Sequence, residues 1–291
     1  MSTKQQTHED VVKKMSFFHK FSKHRLAMLG LVILILEIIV VFTLPAVLKL
    51  DAYAITAAVN QAPSAEHVLG TDALGRDMLA RICSGGQISL LVGLSSVVIS
   101  LLIGVPLGML AGYYRGVVEM VIMRLADVFM SLPTMVLVLV LVVVFNPSIV
   151  VIILVIGVVG WTSVAKQVYG STLTVRSKEY IESAKAIGTK DVVIFFREIL
   201  PNVMTPIWMT LSFRVSSAIL TESALSFLGS GVQPPDASWG NIINAAQKYV
   251  VLTTRPWQWI PPGICLFITI VAINLIGEGI RDVMDPKTKR G

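Results

Sequence analysis

Between Arg81 and Arg115 the chain carries no charged side chain. An apolar run of that length exceeds the roughly 20 residues a helix needs to cross the hydrocarbon of a bilayer. Comparable runs lie at about 26–48, 88–112, 118–145, 149–168, 203–228 and 260–280. The expected fold is therefore all-α, a polytopic membrane protein with six transmembrane helices. Charged residues make up 14% of the 291-residue chain, against about 25% in soluble domains. The expected organisation is a polar tail (1–25), a first span (26–48), an extracytoplasmic segment (49–87), a five-helix core (88–280) and a second tail (281–291). Within the core, a polar loop at 171–202 and a Gly/Pro/Trp-rich loop at 229–259 interrupt the apolar runs. The first run is too long for a signal-peptide core and lacks a small-residue cleavage site, so the first span is expected to be retained.

The net charge of +6 is distributed by side. With six spans both termini share one face. Lys49, Arg76, Arg81, Lys248 and Arg255 fall on the opposite face and Arg214 inside a span, leaving eighteen of the 24 Lys and Arg with the termini, the 113–124 stretch and the 165–202 island. The positive-inside rule then orients both termini and that island to the cytoplasm. Basic residues placed between apolar spans do not make a nucleic-acid surface. Cys83 and Cys265 are two isolated cysteines in or near spans and read as small apolar side chains.

Several chemistries are missing. There is no phosphate-cradling G-x-x-x-x-G-K-[ST], no H-E-x-x-H and no G-x-S-x-G. No catalytic residue, bound cofactor or metal site is expected in this chain.

The polar stretch Tyr180 to Asn202, YIESAKAIGTKDVVIFFREILPN, reads as two short helices. Gly188 ends the first as a C-cap, Asp191 caps the second, and Pro201 stops it. Val192, Phe195, Phe196 and Ile199 form the apolar stripe of the second. Such a stripe suits a helix lying on lipid headgroups or one docked on a protein, and the residues alone do not separate the two.

The same stretch resembles the cytoplasmic signature of bacterial binding-protein-dependent ABC importer permeases, in which E-A-A and a glycine precede a spaced L-P. Glu182, Ser183, Ala184, Gly188, Leu200 and Pro201 occupy those places, with Ser183 where the middle alanine stands and Ile199 one place late. The resemblance implies a type I importer fold and a coupling helix seated on an ATPase subunit, with Glu182 making polar contacts there and Gly188 permitting the turn. HVLGTDALGRDMLAR (67–81), with Asp72, Arg76 and Asp77, and LSFLGSGVQPPDASWG (225–240) are similar to segments of the dipeptide, oligopeptide and nickel branch, and point to the second, C-type permease of a pair. From the residues alone, the first is a charge-paired turn before a short helix. In the second, Trp239, like Trp257 and Trp259 beyond it, suits an interface position.

The resemblance implies a homologous second permease forming a heterodimer, two ABC ATPase subunits that use ATP and Mg, and an extracellular or periplasmic solute-binding protein, in the bacterial inner membrane. Di- or oligopeptide is the expected cargo, with nickel or a metal chelate as the alternative. A stand-alone secondary transporter would need ion-coupling carboxylates and repeated halves, and no internal repeat is visible. Glu37, Asp127, Arg214 and Glu222 lie inside spans, where charge must face protein or water. Arg214, Ser217, Thr221 and Glu222 are read as one face of span five. That face either lines the translocation path and meets peptide termini, or pairs with the partner permease or stabilises the fold.

Overall fold

The computed structural model describes residues 17–284, which are helical apart from turns and one isolated bridge between Thr71 and Asp77. A short helix α1 (Phe17–Lys23) leads into α2 (Arg25–Val47). After a looped segment come α3 (Met78–Tyr114), α4 (Gly116–Ser131), α5 (Thr134–Val144) and α6 (Ile149–Arg176). Then follow α7 (Glu179–Ala186) and α8 (Asp191–Phe227), two small helices α9 (Trp239–Ala245) and α10 (Tyr249–Thr254), and α11 (Ile260–Met284).

The centre is the pair α3 and α6, the most extensive helix contact in the molecule, with α8 across both and α11 against α8. Lipid tails are as apolar as leucine, so helices in a membrane associate through close packing rather than the hydrophobic effect. The α3–α6 seam meets that requirement with glycine at every fourth position. A β-carbon on Gly104 would stand 2.6 Å from Val164 Cβ, one on Gly108 2.5 Å from the Ala165 carbonyl, and one on Gly112 2.6 Å from Thr172 Cβ. Ser100 adds a bond across the seam, its hydroxyl donating to the Gly157 carbonyl at 2.8 Å. On the flank, α2 lies on α11, where Gly30 leaves room for the Ala272 carbonyl and Thr269 donates to Glu37 at 2.7 Å. The outward face of α2, including Leu36, Ile39 and Phe42, is exposed, as contact with lipid requires.

Five helices are long and apolar enough to cross a membrane, and a sixth crossing is made only if α4 and α5 are counted together. The run at 118–145 is not one continuous helix: it bends by 91° between α4 and α5. Pro133 explains the break, because a proline forces the preceding residue out of the α region, and Leu132 sits at φ −91°, ψ 142°.

Two further boundaries differ from expectation. The helix expected from 88 begins at Met78, where the Asp77 carboxylate caps it by accepting from the Ala80 N–H at 2.9 Å. Its first turns carry polar groups, yet they are covered by loops and buried. The other concerns Pro201, which does not stop the second polar helix. A π-helical turn, Ile194–Ile199, precedes it, with the Leu200 N–H bonded to the Phe195 carbonyl. The proline follows directly on this re-registered turn, in the first turn of the α-helical stretch, where its missing N–H costs least. One 37-residue helix therefore joins the polar stretch to the bundle.

Gly108→Leu should lower stability by about 1–3 kcal/mol or more through overpacking. Gly170→Ala, where nothing lies within 4 Å, should leave it unchanged or raise it by up to about 1 kcal/mol, because alanine is the better helix former. Thermal unfolding of the detergent-purified protein checks the contrast.

Candidate functional site

At one end of the bundle, α7 and the start of α8 form an exposed hairpin. Gly188, at φ +76°, takes a backbone conformation that favours glycine. Its N–H donates to the Lys185 carbonyl at 2.9 Å, and that of Thr189 to the Ala184 carbonyl at 3.0 Å, closing α7 in a Schellman motif. Ile181 is buried and Ala184 packs beside it, which turns Glu182 and Ser183 outward into solvent. At the tip Ile187 is 82% exposed.

The apolar stripe of the second helix differs from the expected one. Ile194 and Ile199 are fully buried with Phe195 beside them, whereas Val192 and Phe196 are 65% and 69% exposed. In a π-helical turn, residues five apart share a face, so Ile194 replaces Val192 and Phe196 rotates outward. Leu200 is half-buried in an apolar groove with Val105, Met109 and Phe195, and Pro201 is exposed.

Asp191 does not cap the helix; Lys190 holds the cap position without a side-chain bond. Instead the Asp191 carboxylate accepts from the Tyr113 hydroxyl at 2.6 Å and from the Tyr114 hydroxyl at 3.2 Å. The Lys185 ammonium stands 4.3 Å from the centre of the Tyr113 ring, and the Phe195 ring packs against that ring at 4.7 Å, tilted by 57°. This clamp fixes the hairpin to the end of α3. The one sequence signal for Tyr113 and Tyr114 is a pair of adjacent aromatics at the end of an apolar run.

In mid-bundle, Arg214, Ser217 and Thr221 of α8 line a cavity of about 280 Å³, with Ser96 and Ser100 of α3, Thr134 of α5 and Ser163 of α6. Arg214 donates to the Ser163 hydroxyl at 2.8 Å and to the Gln167 side-chain carbonyl at 2.6 Å. Gln167 in turn donates to the Pro206 carbonyl at 2.9 Å. Glu222 does not share this face. Eight residues turn a helix by about 80° beyond two full turns, and Glu222 points instead into a buried serine cage. It accepts from Ser226 at 2.7 Å, Ser89 at 2.9 Å and Ser223 at 3.3 Å. Through Ser89, whose hydroxyl also accepts from the Trp239 N–H, it ties α8 to α3 and α9.

The opposite end is a layer of loops. Asp72 accepts from the Leu74 and Arg76 N–H groups at 2.8 and 3.0 Å and from the Arg76 guanidinium at 2.7 Å, with Arg81 at 3.7 Å. Asp77 both caps α3 and bonds His67 at 2.9 Å. Arg76 thus pairs with Asp72 in the charged turn, but the helix that follows is α3, not a short one. Thr71 joins the two loops, its carbonyl accepting from Trp257 at 3.3 Å and Gln258 at 2.9 Å. Trp239 is fully buried rather than interfacial. Gly86 opens a slot for its ring, and its indole N–H donates to the Ile82 carbonyl at 3.1 Å. Among the described residues no group of three or more His, Cys, Asp or Glu side chains is placed to hold a metal ion.

Residues 104–290 match the family described as binding-protein-dependent transport system inner membrane component, and residues 15–63 the N-terminal transmembrane domain of oligopeptide transport permease C. The chain is 36% identical over 275 residues to a glutathione transport system permease of Pectobacterium atrosepticum, covering 94% of this chain and 91% of that one. It is 36% identical to the oligopeptide transport system permease OppC of Bacillus subtilis (93% and 88% covered). With the dipeptide transport system permease of Alkalihalophilus pseudofirmus it shares 35% identity (94% and 89% covered). Its fold matches a methionine ABC transporter solved in inward-facing conformations, with a TM-score of 0.59 at 16% identity over 72% of this chain and 98% of that one. Fold and relatives together define a multi-pass membrane subunit of an ABC transporter, a transport component and not an enzyme. The chain belongs to the family of binding-protein-dependent transport system inner membrane components.

Asp191→Ala should free the hairpin from α3 without unfolding the bundle. Tryptic cleavage after Lys185 and Lys190 should rise several-fold in the purified protein. Thermal stability should fall by about 1–3 kcal/mol, the cost of leaving the Tyr113 hydroxyl without its partner.

Proposed function

We propose that this chain is the C-type permease of an ATP-driven importer that carries di- or oligopeptides delivered by a solute-binding protein. The observation that carries the reading is the exposed Glu182–Gly188 hairpin, anchored by the Tyr113–Asp191 clamp and continuous with α8. A docked ATPase pushing on the hairpin moves a helix that reaches mid-bundle with no loop between them. The permease names of the relatives, for oligopeptides, dipeptides and glutathione, support a peptide cargo over nickel.

The assembly contains a second, non-identical permease and two ATPase subunits that bind ATP and Mg, one seated on each hairpin. The excess of Lys and Arg beside the termini and the hairpin supports a cytoplasmic position for both, in the bacterial inner membrane. A solute-binding protein docks on the opposite loop layer, where Asp72, Arg76 and Asp77 hold the surface in shape rather than contact cargo. ATP binding draws the two hairpins together and opens the path outward; hydrolysis resets it. Arg214, Ser217 and Thr221 border that path, and Glu222 braces it from outside.

Gly188→Pro forces φ to about −65° where the turn needs a positive value. Glu182→Lys reverses the charge of the docking face. Either should leave the complex folded and assembled while peptide uptake falls at least about tenfold, the equivalent of 1.4 kcal/mol of coupling. Uptake and ATPase activity measured together in vesicles check this. Normal transport by both variants, or uptake driven by the chain without ATPase partners, refutes the proposal.

A further inference from the structure

The mid-bundle cavity is lined by one charged side chain, Arg214, and no acidic group among the described residues pairs with it. Arg214 stands near the middle of α8, at a depth where a guanidinium is costly unless it faces protein or water. Its hydrogen-bond partners, Ser163 and Gln167, are neutral. Among the described residues no ion pair includes Arg214, although Lys166, one residue from Gln167, is paired with Asp127 at 2.7 Å. Two buried polar atoms of residues lining this cavity lack a partner among the described residues, the Arg214 Nε and the Ser96 hydroxyl. The Nε–H can only donate, and the hydroxyl is free to do so. Buried polar groups are otherwise almost always satisfied. The rest of the polar lining is hydroxyl, from Ser100, Ser163, Ser217 and Thr221 among others, and no acidic side chain borders the space.

We propose that this cavity is a transit site for a free carboxylate, the C-terminus of a peptide cargo, held by Arg214 and steadied by the surrounding hydroxyls. The inference rests on the reading of the chain as a peptide permease. A guanidinium presents parallel N–H donors that match a carboxylate in bidentate fashion. The hydroxyls offer further donors without a competing negative charge. A bare metal cation would meet an uncompensated positive charge, so the same site disfavours it. The volume of about 280 Å³ suits a terminal residue rather than a whole oligopeptide. Contact is therefore with one end of the cargo, independent of its length and of most of its side chains.

The test uses the complete transporter in vesicles with its binding protein, and alanine peptides of two to five residues as free acids and as C-terminal amides. Arg214→Gln should lower uptake of the free acids about tenfold or more, the effect of losing a hydrogen bond to a charged group. The acid-to-amide uptake ratio should fall by a similar factor. Arg214→Lys, which keeps the charge but not the bidentate fork, should lose clearly less uptake than Arg214→Gln and retain part of the acid-to-amide preference, and peptide-stimulated ATPase activity should persist in both variants. Wild-type uptake by Arg214→Gln, or an unchanged acid-to-amide ratio, overturns the inference alone. Equal losses in the Gln and Lys variants, or loss of ATPase stimulation in both, assign Arg214 to holding α8 on α6 instead. Failure of the parent complex to import any of the peptides overturns the peptide reading and this inference with it.

Discussion

The contact on which the structure depends is the approach of two backbones where Gly104, Gly108 and Gly112 face Val164, Val168 and Thr172. In hydrocarbon there is little to gain from hiding one apolar surface against another, so helices must come close enough for dispersion and polar backbone contacts to add up. Glycine at every fourth place removes the side chains that would hold α3 and α6 apart. Their pairing then positions what lies beyond each end. The end of α3 presents Tyr113 and Tyr114 to the hairpin, and α6 supplies Ser163 and Gln167 to Arg214 before it runs on toward α7. A looser seam would misplace both the clamp and the cavity.

The bundle and the loop layer handle buried charge in opposite ways. In the loops, Asp72 and Asp77 are saturated by backbone N–H groups and by Arg76 and His67, so their charge serves shape. In the bundle, Glu222 is met by serine hydroxyls alone and Arg214 by a serine and an amide. Neither is cancelled by an opposite charge among the described residues. Glu222 is fully enclosed, which suits a brace; Arg214 faces open volume, which suits a contact with something that arrives and leaves.

Much of this architecture is legible in the residues. Uncharged apolar runs reveal the spans, because nothing else tolerates them, and Gly188 announces the end of α7 because its turn favours a positive φ. What stayed hidden depends on partners distant in the chain. The glycines at 104, 108 and 112 stand in plain view, but the face they meet lies some sixty residues on. A stripe drawn with 3.6 residues per turn placed Phe195 and Ile199 correctly but added Val192 and Phe196, and the π-helical turn put Ile194 on the buried face in their stead. Glu222 was grouped with Arg214 because eight residues pass for two turns, although the surplus rotation carries it to another face. Trp239 resembled an interfacial tryptophan until Gly86, in a different helix, opened a slot for it.

The great length of α3 has a mechanical consequence. Its 37 residues span about 55 Å, well beyond the hydrocarbon core of about 30 Å. It is held along that length, by the Trp239 indole on the Ile82 carbonyl, by Ser89 on Glu222, by Ser100 on the Gly157 carbonyl and by the glycine seam. The loop layer and the hairpin are thus fastened to opposite ends of one helix, with no flexible joint between them in which a displacement at either end could be lost.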